Sequence, residues 1–204
     1  MQSAVIVAGG RSTRFGDADK AVADLAGTPM VRRVADRLTG VVDELVVNCR
    51  ADQRDAIADA LDGYERPVAF ALDPAEDEGP MAGIRTGLRG ANGEYAAVVA
   101  CDMPFVDPAF VAYLFERAAG ADAAVPRVGD GWFQTTQAVY RADAMAAACE
   151  DALDAGERKI LEPLFTLDYE VVTEREVEEH AANGTGTFEN LNTRAELEDA
   201  QDAF

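Results

Sequence analysis

Short apolar runs at residues 4–8, 45–47, 68–72, 96–100 and 123–125 are rich in valine and alanine, and several stop at a glycine or a carboxylate. Runs of that length without polar alternation predict strands buried on both faces, as in a parallel sheet. The segments between them carry apolar residues at helical spacing. Residues 28–38 open on Thr28-Pro29, which predicts Thr28 as N-cap and Pro29 as the first helical residue; residues 107–119 open on Asp107-Pro108 in the same way. Residues 52–61 and 81–88 supply two further helices. This alternation predicts a Rossmann-like three-layer α/β/α fold with a mostly parallel central sheet and right-handed crossovers. Ligands in such a sheet sit beyond the C-terminal ends of the strands, so the residues just after each apolar run are where chemistry is expected.

The rhythm changes after residue 125. Residues 135–140 and 169–173 read as strands, residues 142–155 and 158–165 as helices, and residues 181–187 as a small glycine-containing loop; Thr193 caps a last helix. A length of 204 residues suits one domain. The expectation is a single unit in which residues 1–125 carry the ligand-binding strand ends and residues 126–204 complete the sheet and cover the site.

Charge narrows the partners. A formal charge of −20 opposes binding to nucleic acid or to an anionic membrane across the whole surface. No apolar run approaches the ~20 residues needed to span a bilayer. Acidic side chains are spread from Asp17 to Asp202, whereas Lys20 and Lys159 are the only lysines among 18 cationic residues. An acidic, lysine-poor, alanine-rich chain suggests a salty cytoplasm, where screening relieves self-repulsion. Cys49, Cys101 and Cys149 are odd in number and widely spaced, which fits neither a zinc pattern nor a disulfide framework and agrees with a reducing cytosol.

The first apolar run leads into Ala8-Gly9-Gly10-Arg11-Ser12-Thr13-Arg14-Phe15-Gly16-Asp17-Ala18-Asp19-Lys20, a glycine-rich loop bearing three cations. Gly9 and Gly10 let backbone N–H groups approach phosphate oxygens, and Arg14 and Lys20 can neutralise the charge there. The loop is neither a Walker motif nor G-x-G-x-x-G. Gly-Gly alone is equally a strand-to-helix turn; a lysine kept here, in a chain that otherwise uses arginine, is harder to explain that way. Asp102 follows the fourth run. A carboxylate at that place suits Mg²⁺, which takes hard oxygen ligands and is often held by one or two carboxylates plus substrate phosphates; a turn cap is the plain alternative. Asn48 and Asp73 end the second and third runs, where a turn amide and a loop cap are the alternatives.

Taken together these segments resemble the molybdopterin-dinucleotide nucleotidyltransferases, and their guanylyltransferase branch in particular. Residues 8–20 follow A-G-G-x-S-x-R-[F/M]-G-x-x-D-K, with Phe15 where methionine is usual. Gly79-Pro80-Met81-Ala82-Gly83 is similar to the family's G-P-L-A-G, Cys101-Asp102-Met103-Pro104 to its metal-binding strand end, and residues 190–197 to its N-x-N-T-x-E-[D/E]-L. The resemblance implies a nucleotidyltransferase fold and transfer of GMP from GTP to the terminal phosphate of molybdopterin, with Mg²⁺ as cofactor. It implies that Val7, Ala8, Gly9 and Gly10 line the nucleotide, and that Asn48 and Asp73 hold the guanosine. Arg14, Lys20 and Asp102 would be the catalytic set, with Asp102 the metal ligand, and Asn190 and Asn192 would meet the acceptor or support the metal from behind its ligand. Asp73 can accept from guanine N1–H and N2–H₂ together, which adenine cannot offer. Passing contact with molybdoenzymes or cofactor-insertion proteins is implied as well.

Two places depart from the family pattern. Phe133-Gln134-Thr135-Thr136-Gln137 stands where many relatives carry His-Pro, which leaves the acceptor contacts there open. Trp132 is either a stacking surface for the pterin or a packed loop aromatic, and the lone His180 reads as a solvated side chain in an acidic helix. Other acceptors and nucleotides stay open at this point: a cytidylyltransferase for the same pterin, a guanylyltransferase for cobinamide phosphate, or a GTP-binding adaptor without turnover.

Overall fold

A computed structural model of the chain describes residues 1–10, 15, 19–73 and 79–204. In chain order the elements are β1 (Gln2–Val7), β2 (Asp24–Leu25), β3 (Thr28–Pro29), α1 (Met30–Leu38), β4 (Glu44–Cys49), α2 (Arg54–Ala60), β5 (Val68–Leu72), α3 (Pro80–Arg89) and β6 (Tyr95–Ala100). They continue with α4 (Pro108–Ala118), β7 (Ala123–Val128), β8 (Trp132–Phe133), β9 (Gln137–Arg141), α5 (Ala142–Asp154), α6 (Leu161–Leu164), β10 (Tyr169–Thr173), α7 (Glu174–His180) and α8 (Arg194–Asp199). Single 3₁₀ turns lie at Lys20–Val22, Gly184–Phe188 and Ala200–Ala203.

One sheet runs in the order β10-β7-β9-β6-β1-β4-β5, with β8 added to β7. β1, β4, β5 and β6 are parallel to one another, β10 is parallel to β7, and β9 alone on this path runs antiparallel, between β6 and β7. The mostly parallel sheet is thus as expected, with one reversed strand. The central strands β1, β4 and β6 are buried on both faces, which is why they show no polar alternation. On one face Ala4, Ile6, Leu45, Val47 and Val99 meet Val31, Val34 and Leu38 of α1 and Phe110 and Leu114 of α4. On the other, Val5, Val46 and Val98 meet Met81, Ile84 and Leu88 of α3 and Met145 of α5.

Helix ends show where local chemistry was read well and where it was not. Asp107 caps α4 through a hydrogen bond from the Phe110 N–H at 3.0 Å, and Thr193 caps α8 in a box with Glu196. Thr28, by contrast, is no cap. It pairs with Leu25 in the β2–β3 hairpin, Pro29 takes the N-cap position, and the first free amide of α1 is satisfied instead by Met30 N–H donating to the Ala23 carbonyl at 2.9 Å. The helix expected over residues 158–165 shrinks to α6, whose buried Pro163 and Leu164 anchor one turn. The expected loop over residues 181–187 instead winds into the 3₁₀ turn Gly184–Phe188. Among the described residues no helix is long and apolar enough to cross a membrane.

Candidate active site

β1 lies between β4 and β6, so the chain leaves it toward β4 and β5 on one side and returns to β6 on the other. At such a switch point the loops after neighbouring strands separate and leave a crevice at their C-terminal ends. A cavity of about 570 Å³ opens there. Its wall contains Val7, Ala8, Gly9 and Gly10 from the end of β1, Asn48 from β4, Asp73 after β5, Cys101 and Asp102 after β6, Lys20, and Asn190 and Asn192 from the segment before α8. Every site residue singled out in the sequence therefore reaches one cavity, except Arg14, which lies outside the described residues.

Lys20 is the electrostatic centre. Its ammonium sits 2.6 Å from Asp102 Oδ2 and donates to Asn192 Oδ1 at 3.1 Å, with only 7% of the side chain exposed. Among the described residues two of its three N–H donors are thus occupied, which leaves the third for a ligand. Leu191 N–H donates to the Asp102 carbonyl at 2.9 Å, which seats the Asn190–Asn192 segment against the end of β6. Leu191 itself is buried with Phe15, Leu25, Met30 and Leu197, so the asparagines on either side of it face the cavity.

Asp102 Oδ1 is fully buried and has no hydrogen-bond partner among the described residues. A buried carboxylate oxygen left unpaired is costly, and a hard cation is the partner its chemistry favours. The described residues contain no group of three or more His, Cys, Asp or Glu side chains that could hold a metal. A single Asp beside a polyphosphate still suffices for Mg²⁺, so the donors fit.

Opposite Lys20 the wall is uncharged or acidic. Asn48, fully buried, donates to the Ala71 carbonyl at 3.1 Å and to Asp73 Oδ1 at 2.7 Å, and its Oδ1 faces the backbone of Gly83 without a partner. Gly9 is packed against the Asp73 carboxylate, which a Cβ at position 9 would strike. Gly79, with φ +86, turns the chain into Pro80 at the start of α3. Burial pushes the Cys101 thiol up, and the Asp102 carboxylate beside it pushes the same way, so Cys101 offers no thiolate.

Some residues that shape the site escaped sequence reading. Asp19 also lines the cavity, as does Thr136 from the stretch before β9. Arg50 donates to the Gly9 and Gly10 carbonyls at 3.1 and 3.2 Å, and Gln53 bridges Ala8 and Asp19. Trp132, 73% exposed on β8, is not a packed loop aromatic and does not line the cavity. His180 is exposed but stacks flat on Tyr113, ring centroids 3.7 Å apart.

The family described as "MobA-like NTP transferase domain" matches residues 4–171. A probable molybdenum cofactor guanylyltransferase of Natronomonas pharaonis is 51% identical over 201 residues, covering 98% of this chain and 97% of that one. One from Haloferax mediterranei is 42% identical over 196 residues, covering 96% and 91%. Among solved structures, molybdopterin-guanine dinucleotide biosynthesis protein A from Archaeoglobus fulgidus is similar over 100% of this chain and 98% of its own, with a TM-score of 0.79 and 28% identity.

Proposed function

Because the chain belongs to the molybdenum cofactor guanylyltransferase family of MobA-like nucleotidyltransferases, we propose that it transfers GMP from GTP to the terminal phosphate of molybdopterin and releases pyrophosphate. The observation that carries the reading is the Lys20–Asp102 pair, held at 2.6 Å on the wall of a cavity that also contains the Gly9-Gly10 backbone. A cation with a free donor, two glycine amides and a carboxylate with an unpaired oxygen meet at one place, as a metal-bound triphosphate requires.

In the reaction a phosphate oxygen of the pterin forms a bond to the α-phosphorus of GTP while the bond from that phosphorus to the bridging oxygen breaks, and pyrophosphate carries away the electron pair. The nucleophile is already an anion, so no general base is needed. Ala8 to Gly10 would receive the phosphates through backbone amides. Lys20, turned toward the cavity by Asp102 and Asn192, would neutralise the charge that builds on the leaving group, with Arg14 as the second cation. Asn48 and Asp73 would grip the guanosine, Asp73 selecting the base. Asn190 and Asn192 would meet the acceptor, which makes residues 1–125 the nucleotide side and 126–204 the acceptor side of one domain. Mg²⁺, held through Asp102, would supply Lewis-acid stabilisation of the phosphates.

The test is pyrophosphate release in molar KCl with Mg²⁺ and intact molybdopterin, comparing GTP, CTP, ATP and UTP. GTP is expected to be used best, and Asp73→Asn to narrow the preference for GTP over ATP. No release from any nucleotide overturns the reading, a preference for CTP moves the chain to cytidylyl transfer, and an unchanged preference in Asp73→Asn removes Asp73 from base selection.

A further inference from the structure

Given the nucleotide assignment above, on which this rests, we propose that Gln53 is the positioning residue of the phosphate loop, setting the Lys20 ammonium against the backbone of Ala8 and Gly9. Gln53 stands just before α2, in a stretch that looks like an ordinary polar helix entry, yet it is 2% exposed. Its amide makes three hydrogen bonds. Nε2 donates to the Ala8 carbonyl at 3.1 Å and to Asp19 Oδ2 at 2.9 Å, and Oε1 accepts from the Arg50 N–H at 3.0 Å.

These three partners fix which way the amide points. Turned over, it would set its oxygen against a carbonyl and a carboxylate and its N–H₂ against an N–H. The two donor bonds also reach the two ends of the loop. Ala8 is the last residue tied to the sheet, its own N–H donating to the Asn48 carbonyl at 2.8 Å, and it lines the cavity. Asp19 caps the turn Lys20–Val22, with Oδ1 accepting from the Ala21 N–H at 3.0 Å, and that turn aims Lys20 at Asp102. One buried amide therefore joins the backbone that would receive the phosphates to the turn carrying the cation that would neutralise them. Arg50 adds to this by holding the Gly9 and Gly10 carbonyls outward. Fixing such groups before the ligand arrives removes the reorganisation that binding would otherwise have to supply.

Reversing the polarity of the Gln53–Asp19 bond separates positioning from mere core filling. Isothermal titration of Mg²⁺-GTP in molar KCl, with a melting curve for every protein, compares the unsubstituted chain with Gln53→Glu, Asp19→Asn and the two combined. Gln53→Glu keeps the size and the acceptor for Arg50 but faces Ala8 and Asp19 with an oxygen, and GTP affinity is expected to fall at least about tenfold. Asp19→Asn is expected to weaken binding too, since its amide must give up either the bond to Gln53 or the cap on Ala21. Combined, the two restore a donor–acceptor pair of opposite sense between positions 53 and 19 but not the bond to Ala8, so part of the lost affinity returns.

If Gln53→Glu does not fold, Gln53→Met replaces it, removing both donors without adding charge, with the same loss expected. Wild-type affinity in any folded Gln53 variant overturns the assignment, as does a combined variant that binds no better than a folded Gln53→Glu. Failure of both Gln53 variants to fold makes the residue part of the core and overturns it equally. Absence of GTP binding by the unsubstituted chain is a different result: it removes the nucleotide assignment of the cavity itself.

Discussion

The Lys20–Asp102 pair makes a quantitative prediction about stability that is independent of the reaction. Replacing Lys20 by Met removes the 2.6 Å contact to Asp102 Oδ2 and the 3.1 Å bond to Asn192, and leaves a carboxylate whose other oxygen already has no partner. Stranding one member of a buried pair costs about 3–5 kcal/mol, because the remaining charge has lost its water and its counter-charge. The Asp102 side chain keeps 19% of its surface exposed, which places the cost near the lower end, about 3 kcal/mol. For a chain of this size that is a drop in Tm of roughly 6–12 °C. Asp102→Asn should cost a similar amount by stranding Lys20. The double variant removes both charges, and replacing a buried pair by neutral groups is often close to neutral. The two single costs should therefore exceed that of the double variant by about 2 kcal/mol or more, measured by urea unfolding at fixed KCl. That excess should shrink little as KCl is raised, since a buried pair is screened less than a surface one. Costs that simply add, to within about 0.5 kcal/mol, would show that the two charges do not feel each other and refute the reasoning.

Gly83→Ala places a Cβ 2.5 Å from Asn48 Oδ1, and Asn48 cannot retreat because its amide is tied to Ala71 and Asp73; GTP affinity should fall about tenfold, whereas Gly40→Ala, which meets nothing within 4 Å, should bind as the unsubstituted chain does. Equal affinity in the two variants by titration would refute the close packing. Burial would raise the Glu176 carboxyl, but hydrogen bonds from Thr173 and Tyr113 and the Arg117 guanidinium outweigh it and hold it at about 2. A carboxyl depressed in the folded state stabilises fully above its unfolded pKa of about 4.3, and that contribution is lost as pH falls from there toward 2. The gap in urea midpoint between the unsubstituted chain and Glu176→Gln should narrow across this window; a constant gap would be the contrary result.

How far the fold can be read from the sequence depends on what each element is in contact with. β1, β4, β6 and β7 lie where apolar runs predict them, because burial on both faces leaves few polar positions to blur a run, and the edge strand β5 is apolar although partly exposed. The start of α1 is misread for a local reason. Ala26 and Gly27 both adopt positive φ, 51° and 79°, and close the β2–β3 hairpin that pulls Thr28 away from the helix. Asn-Gly at that place would signal such a turn; Ala-Gly does not. The helix expected over residues 158–165 shortens because Pro163 cannot donate within it and only Leu164 is driven fully into the core.

The cavity divides along the same line. Gly9, Asn48, Asp73 and Asp102 are legible because each lies at or just past the end of a strand, and an open parallel sheet presents strand ends to its ligand. Gln53 and Arg50 are not, because what they do depends on a carbonyl forty or more positions away, and nothing in Arg50-Ala51-Asp52-Gln53 distinguishes a buried amide from a solvated one. Lys20 shows why the two kinds of residue belong to one device. Its partners, Asp102 at the end of β6 and Asn192 near the C-terminus, are 82 and 172 positions away. The Lys20 ammonium is thus aimed by Asn192 as well as by Asp102. A change at Asn192 should therefore be felt in nucleotide binding.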